Sequence, residues 1–244
     1  MKKKIEIKKL KITKKDLLNS FLTDEIHEIL LKSHETCKHF LSIYDNLNNS
    51  TKGKPTDKNQ DLLRAMLVFA SSALDVILKS LVRKNLKNCI DKKDQSRESF
   101  GKFVKRSIGR SVSSRNFYVD VDFLAEIISE ENGRDLLIKK YVDKSISESL
   151  QSKGKIIEIS SMLGIEISKN ENINVDDFQE IFKVRNEIIH QMDVSRNSDD
   201  HRKRIQRKRD DLVEHTNKIF SLIEFFIINI NEMYKESDLD VVNK

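Results

Sequence analysis

The sequence predicts an all-α fold: one helical-bundle domain with a basic N-terminal arm. Three observations predict it. One proline (Pro55) and six glycines in 244 residues are too few for the many turns of a β-sandwich or barrel. Apolar residues recur at three- and four-residue spacing through most of the chain, the period of an amphipathic helix. At 38% hydrophobic and 34% charged over 28.5 kDa, the chain carries enough apolar material for a sizeable core without metal or disulfides. The expected organisation is an arm over 1–22, a helical domain over 23–235 and a tail over 236–244.

Each element has its own signal. Residues 2–15 hold eight lysines against Glu6, with apolar residues alternating at Ile5 and Ile7 and again at Leu10 and Ile12. This pattern suits either a short edge strand or a flexible basic arm. A first helix starts after Thr23, a natural N-cap, and carries Ile26, Ile29, Leu30, His34, Cys37 and Leu41. The stretch from Asn46 to Pro55 ends it. A second helix, Asp57 to Asn88, is apolar over so much of its circumference (Leu63, Met66, Leu67, Ala70, Leu74, Ile77, Leu78, Leu81) that it belongs at the centre. Arg64 and Asp75 interrupt that run.

Beyond it the elements shorten. Phe100, Phe103 and Val104 mark a short helix leading into the loop IGRSVSSRN. Another helix runs from Val121 to Gly133, and a further one from Arg134 to Leu150. GKIIEISSMLGI is a short helix stopped by Gly164, a favoured residue just past a helix end. The next starts with Asn174 as cap and Asp176 and Asp177 in its first turn, where the helix dipole favours acids. It carries Phe178, Ile181, Phe182, Ile188, Ile189 and Met192. After the polar loop Ser195 to Asp200, the last long helix reaches about Tyr234.

The formal charge is +6 and the pI about 9.1, compatible with a polyanionic partner. Cys37 and Cys89 make no CxxC pair, and a reduced, cytoplasmic setting is the simpler expectation. MKKKIEIKKLKITKK has no apolar run of the kind a signal peptide needs. The most apolar window, Ile219 to Ile230, is short and interrupted by polar residues, so no membrane association is expected.

The sequence contains no glycine-rich phosphate loop, GxSxG or HExxH. His27, His34 and His39 share the first helix, but too few ligands accompany them to assign a metal, so neither metal nor cofactor is expected. One stretch stands apart. Arg185-Asn186-Glu187-Ile188-Ile189-His190 places an Arg, an Asn and a His in the middle of an apolar-patterned helix. Asn186 and His190, four apart, share a face. Arg185 lies five residues from His190, about 140° round an ideal helix. One copy therefore does not aim both at one point, whereas two copies crossing at a two-fold axis would pool two arginines and two histidines in one cleft. Such a cleft suits RNA cleavage without metal. A histidine takes the 2′-hydroxyl proton or gives one to the leaving 5′-oxygen, and an arginine fork matches the phosphate. By spacing alone, a surface Arg beside a His filling a packing gap explains the same residues.

RNEIIH in a late helix resembles the RNxxxH hallmark of the HEPN superfamily, whose members are all-α, usually dimeric, and in many cases ribonucleases of toxin and phage-defence systems. The likeness extends to DLLRAMLVFASSALDVILKSLV (Asp61 to Val82), which resembles the central helix of the RiboL-PSP-HEPN family. SLQSKGKIIEISSMLGI (Ser149 to Ile165) resembles the segment ahead of its active helix, and VRNEIIHQMD and the closing apolar helix complete the order. It covers roughly residues 57 to 233. The resemblance implies a HEPN-like bundle with Arg185 and His190 in the catalytic positions and Asn186 as the accompanying polar residue. Asp75 falls where the superfamily often keeps an acidic or polar helper, or else is a salt-bridged surface acid. Asp193 either orients the imidazole or is a solvated helix-end acid. In one branch of the superfamily a tyrosine follows the histidine by two residues. Met192 stands there instead, so control through that tyrosine is not available.

The cluster His201-Arg202-Lys203-Arg204 and Arg207-Lys208-Arg209 follows. Arg202, Arg204, Arg207 and Arg209 are candidates for the RNA backbone, together with Arg106, Arg110 and Arg115; a solvated helix end is the plainer reading. The expected function is a metal-independent endoribonuclease leaving 2′,3′-cyclic phosphate ends. RNA is its substrate, a second copy its expected partner, and an antitoxin or defence-system protein a further one. The alternatives are a non-catalytic HEPN module binding RNA or a nucleotide, and a helical adaptor.

Overall fold

A computed structural model of the chain describes residues 4–12, 24–49, 54–113, 116–195 and 203–242. Helix α1 (Asp24–Asn49) and helix α2 (Asp57–Lys92) form an antiparallel pair. Lys84 pairs with Glu25 at one end, Cys37 Sγ donates to Met66 O in the middle, and Asn59 donates to Asn48 at the other. The expected cap Thr23 lies outside the described residues. Thr56 caps α2, its hydroxyl accepting from Asn59 N–H at 3.3 Å. As its sequence demands, α2 is the core helix, and α1 and every later helix of the described chain except the short fourth one pack on it. By length and composition alone α2 would also pass for a membrane span, with a window of mean hydropathy 1.8. The sequence argument had placed the most apolar window at Ile219 to Ile230 instead.

Helix α3 (Asp94–Ile108) follows after one residue, Lys93. The predicted loop IGRSVSSRN is then corrected: β1 (Gly109–Ser113) and β2 (Asn116–Val119) pair antiparallel, Gly109 opposite Val119 and Ser111 opposite Phe117. Asn-Phe-Tyr-Val is rich in strand-forming residues, but four residues are too few to read as a strand unaided. Helix α4 (Val121–Ser129) is capped by Asp120, which accepts from Phe123 N–H at 3.0 Å. Helices α5 (Gly133–Ile146) and α6 (Lys153–Met162) follow, the latter capped by Ser152. Gly164 has φ +63, and a Cβ there would stand 2.6 Å from Lys93 Cβ. Both the backbone conformation and the close approach to the start of α3 call for glycine.

Helix α7 (Asp177–Gln191) begins later than expected: Asp176 rather than Asn174 is its N-cap, and Asn174 Oδ1 accepts from Asp176 N–H at 3.1 Å in the turn ahead of it. Helix α8 (Arg209–Val242) differs at both ends. It starts at Arg209 rather than just beyond Asp200, and it continues through most of the segment expected as a tail. Residues 203–208 run extended, with Val194 bridging Arg204 and Ser195 N–H donating to Lys203 O at 2.9 Å.

Residues 4–12 are not a free arm. Ile7 and Ile12 are buried in the common core. Lys8 N–H donates to Asn217 Oδ1 at 2.9 Å, Asn217 Nδ2 returns to Glu6 O at 3.0 Å, and Glu224 on α8 accepts from the N–H groups of Lys11 and Ile12. His34 closes the far side, 2.9 Å from Lys8 O and edge-on to Phe220. Side chains of α1 and α8 thus pair with backbone groups of Glu6, Lys8, Lys11 and Ile12.

Candidate functional site

Helix α7 runs antiparallel beside α2. At one end Asp193 Oδ2 accepts from Arg64 Nε at 2.7 Å. At the other, the Asp75 carboxylate acts on the Arg185 guanidinium. The line from Arg64 to Asp75 therefore faces the line from Asp193 back to Arg185, and Phe69 falls near the height of Ile189 and His190. The third wall is the segment before α6: Leu150 N–H donates to Asp75 Oδ1 at 2.6 Å, and Gln151 Nε2 donates to Ser71 O at 2.9 Å. A groove of about 380 Å³ opens between that segment and α7, lined by Gln151, Ser152, Lys153, Lys183 and Asn186 among others.

The catalytic candidates sit on the open side. Asn186 and His190 are exposed, and Arg185 is half-buried. Arg185 Nη1 donates to Asn186 Oδ1 at 2.9 Å, while its Nε is buried with no partner among the described residues. Burial lowers the Arg185 pKa from its ordinary value, against the opposing pull of Asp75. His190 makes no hydrogen bond among the described residues. Within one chain Arg185 and His190 are not brought together, as the 140° separation requires. Asp75 is held by Leu150 N–H and by Lys79 at 2.9 Å. It is thus a salt-bridged acid that also acts on Arg185.

Asp193 fits neither expectation. The helix stops at Met192, and both Met192 (φ 52) and Asp193 (φ 57) are left-handed, a conformation Asp tolerates better than most. Asp193 is fully buried, and its carboxylate takes Arg64 on one oxygen and Arg207 on the other, the latter at 2.6 Å. It holds the end of α7 rather than the imidazole of His190.

The basic cluster is corrected as well. Arg207 also reaches Glu187 at 2.7 Å. Arg209 grips Asp45 through two bonds of 2.8 and 2.7 Å. Arg204 pairs with Asp61 at 2.7 Å. These three guanidiniums are committed to carboxylates, because the extended segment presses them against α1, α2 and α7. Arg202 and Arg115 lie outside the described residues, as does the side chain of Arg110. Among the described residues no three His, Cys, Asp or Glu side chains converge as a metal site would need. The element that sequence reasoning underused is the segment Ser149–Lys153. Its only signal is its position ahead of the active helix.

A central apolar helix, an antiparallel helix carrying Arg, Asn and His on its open side, and a long closing helix define a protein of the HEPN superfamily. The chain belongs to the RiboL-PSP-HEPN family, whose model matches residues 31–232. The match begins inside α1, well ahead of the start expected from the sequence. No curated protein and no solved structure matches it.

Proposed function

We propose that this chain is a metal-independent endoribonuclease acting as a homodimer, in which two copies pool Arg185 and His190 in one cleft. The observation that carries the reading is the pair left open on α7: a half-buried guanidinium with an unpartnered Nε, and an exposed imidazole without a hydrogen bond among the described residues. The neighbouring arginines, by contrast, are tied to carboxylates. One imidazole takes the proton of the 2′-hydroxyl as that oxygen attacks phosphorus. The P–O5′ bond breaks, and the second imidazole protonates the leaving 5′-oxygen. The arginine forks bind the charge that grows on the phosphoryl oxygens. The products are a 2′,3′-cyclic phosphate and a 5′-hydroxyl. One feature supports the second copy: the 140° between Arg185 and His190. Two buried unpaired cysteines, whose thiols burial pushes up to about 12, suit a reducing cytoplasm. A toxin or phage-defence role, with an antitoxin or defence-system partner, extends the reading by family likeness alone.

The test is cleavage of total RNA by purified protein. Arg185→Ala and His190→Ala should each lose roughly a hundredfold or more of activity with unchanged circular dichroism, and EDTA should have no effect. Full activity in His190→Ala, or abolition by EDTA, would overturn the mechanism. A blank assay with salt-sensitive RNA binding retained would leave a non-catalytic phosphate-binding module.

A further inference from the structure

A cavity of about 540 Å³ lies away from His190, between α3, α5 and α6. That size suits a small polar ligand. Its inner wall is aromatic: Phe103 stacks on Tyr141 with ring centroids 4.7 Å apart. Tyr141 is buried and Phe103 half-buried, so Phe103 is the ring that still offers surface. Ser99 and Ser161 close the wall behind through a 2.6 Å hydroxyl–hydroxyl bond.

The cavity's charge is lopsided. Lys102, Arg106, Lys144 and Lys155 line it against Glu148 and Glu158. Lys155 takes both acids, at 3.8 and 3.0 Å. Lys102, Arg106 and Lys144 have no carboxylate at ion-pair distance among the described residues, and all three are exposed. Lys144 Nζ instead stands 5.8 Å from the Phe103 ring centre. Three cations without an ion-pair partner among the described residues, beside a half-buried ring over which Lys144 now lies, match a nucleotide whose base takes the ring and whose phosphate draws the cations. An acidic peptide would use the cations and leave the ring idle.

The position adds to this. Ser147 and Glu148 line the cavity, and Leu150, three residues on, donates to the Asp75 that acts on Arg185. Three residues span at most about 10 Å, so the cavity and the Arg185 groove flank one short segment.

We propose that this cavity is a nucleotide subsite, taking a base against Phe103 and its phosphate on Lys102, Arg106 and Lys144, and that it holds a nucleotide of the RNA strand flanking the scissile bond. The second clause rests on the ribonuclease reading; the first does not. The same chemistry is offered by a free mononucleotide, so the test has two arms, both in the non-cleaving His190→Ala background. One measures binding of a short fluorescein-labelled oligoadenylate by anisotropy across a salt series; the other measures AMP by calorimetry. Arg106→Glu combined with Lys144→Glu should weaken the oligonucleotide about tenfold or more and flatten its salt slope by about 1.4, two contacts at about 0.7 each. Phe103→Leu, which keeps apolar bulk without the ring, should weaken both ligands, with folding checked by circular dichroism. AMP binding that needs Arg106 and Lys144, with oligonucleotide affinity unchanged, would uphold the subsite and overturn its place on the RNA path. No AMP binding, with oligonucleotide affinity unchanged in all variants, would overturn the subsite. Blank RNA cleavage by the wild type alongside the predicted binding losses would sink the nuclease reading and leave the subsite standing.

Discussion

Asp193 shows best how a single residue outgrows its sequence context. Next to an active-helix histidine, it reads as an orienting acid or a solvated helix end. Its partners are invisible there, because Arg64 is 129 positions away. Buried between two guanidiniums, it is their innermost counter-charge, while Asp61 and Glu187 meet them from the more exposed side. Asp193→Ala should therefore cost about 3–5 kcal/mol in urea denaturation, as breaking a buried pair does. A change of under about 1 kcal/mol would show the arginines free to rehydrate. The RNEIIH motif was legible for the opposite reason: three polar residues intrude on a face that periodicity reserves for packing. His215 on α8 offers a titration. Burial lowers its pKa below 6.5, assisted by Lys218 and opposed by Glu180, Asp211 and Glu214. Its folded pKa being depressed, its contribution is intact above about pH 6.5 and is lost as acid protonates the unfolded chain first. His215→Leu should thus lose less melting temperature than wild type between pH 7 and pH 5, and parallel melting curves would contradict that.

Among the elements, the helices were legible wherever apolar residues kept helical spacing over several turns, as in α2, α7 and α8. Extended segments were not. The four-residue strand β2 is too short to show a period. Residues 203–208 carry so much charge that they read as solvated, whereas Arg204 finds Asp61 on α2, and Arg207 finds Glu187 on α7 and Asp193 just past its end. The alternation Ile5, Ile7, Leu10, Ile12 did announce a strand-like segment. What covers it was hidden, because Asn217 and Glu224 lie more than 200 positions away. Since Ile12 is buried against that core, Ile12→Ala should cost about 2–5 kcal/mol by the same denaturation. A negligible effect would mean that residues 4–12 detach at little cost.

For the molecule as a whole, composition and helical spacing predict the all-α class, and RNEIIH with the segments around it carries the resemblance to the family. The proposed pairing of two copies was not legible, since it would depend on which apolar side chains remain outside after one copy has folded. Phe69 and Val76, each 47% exposed, are such side chains, about 100–140° round α2 from the line of Arg64 and Asp75. Phe69→Glu with Val76→Glu should convert a dimer to a monomer in sedimentation and abolish cleavage together with it. A monomeric variant that cleaves at the wild-type rate would show the site complete in one copy.

The Arg64–Asp193 pair also bears on handling the protein. Sealed from solvent, it gains nothing from dilute buffer and loses little in concentrated salt, whereas contacts between surface cations and nucleic acid weaken steeply as ions compete for the phosphates. There should accordingly be a broad range of ionic strength in which any bound RNA washes away while the polypeptide stays native.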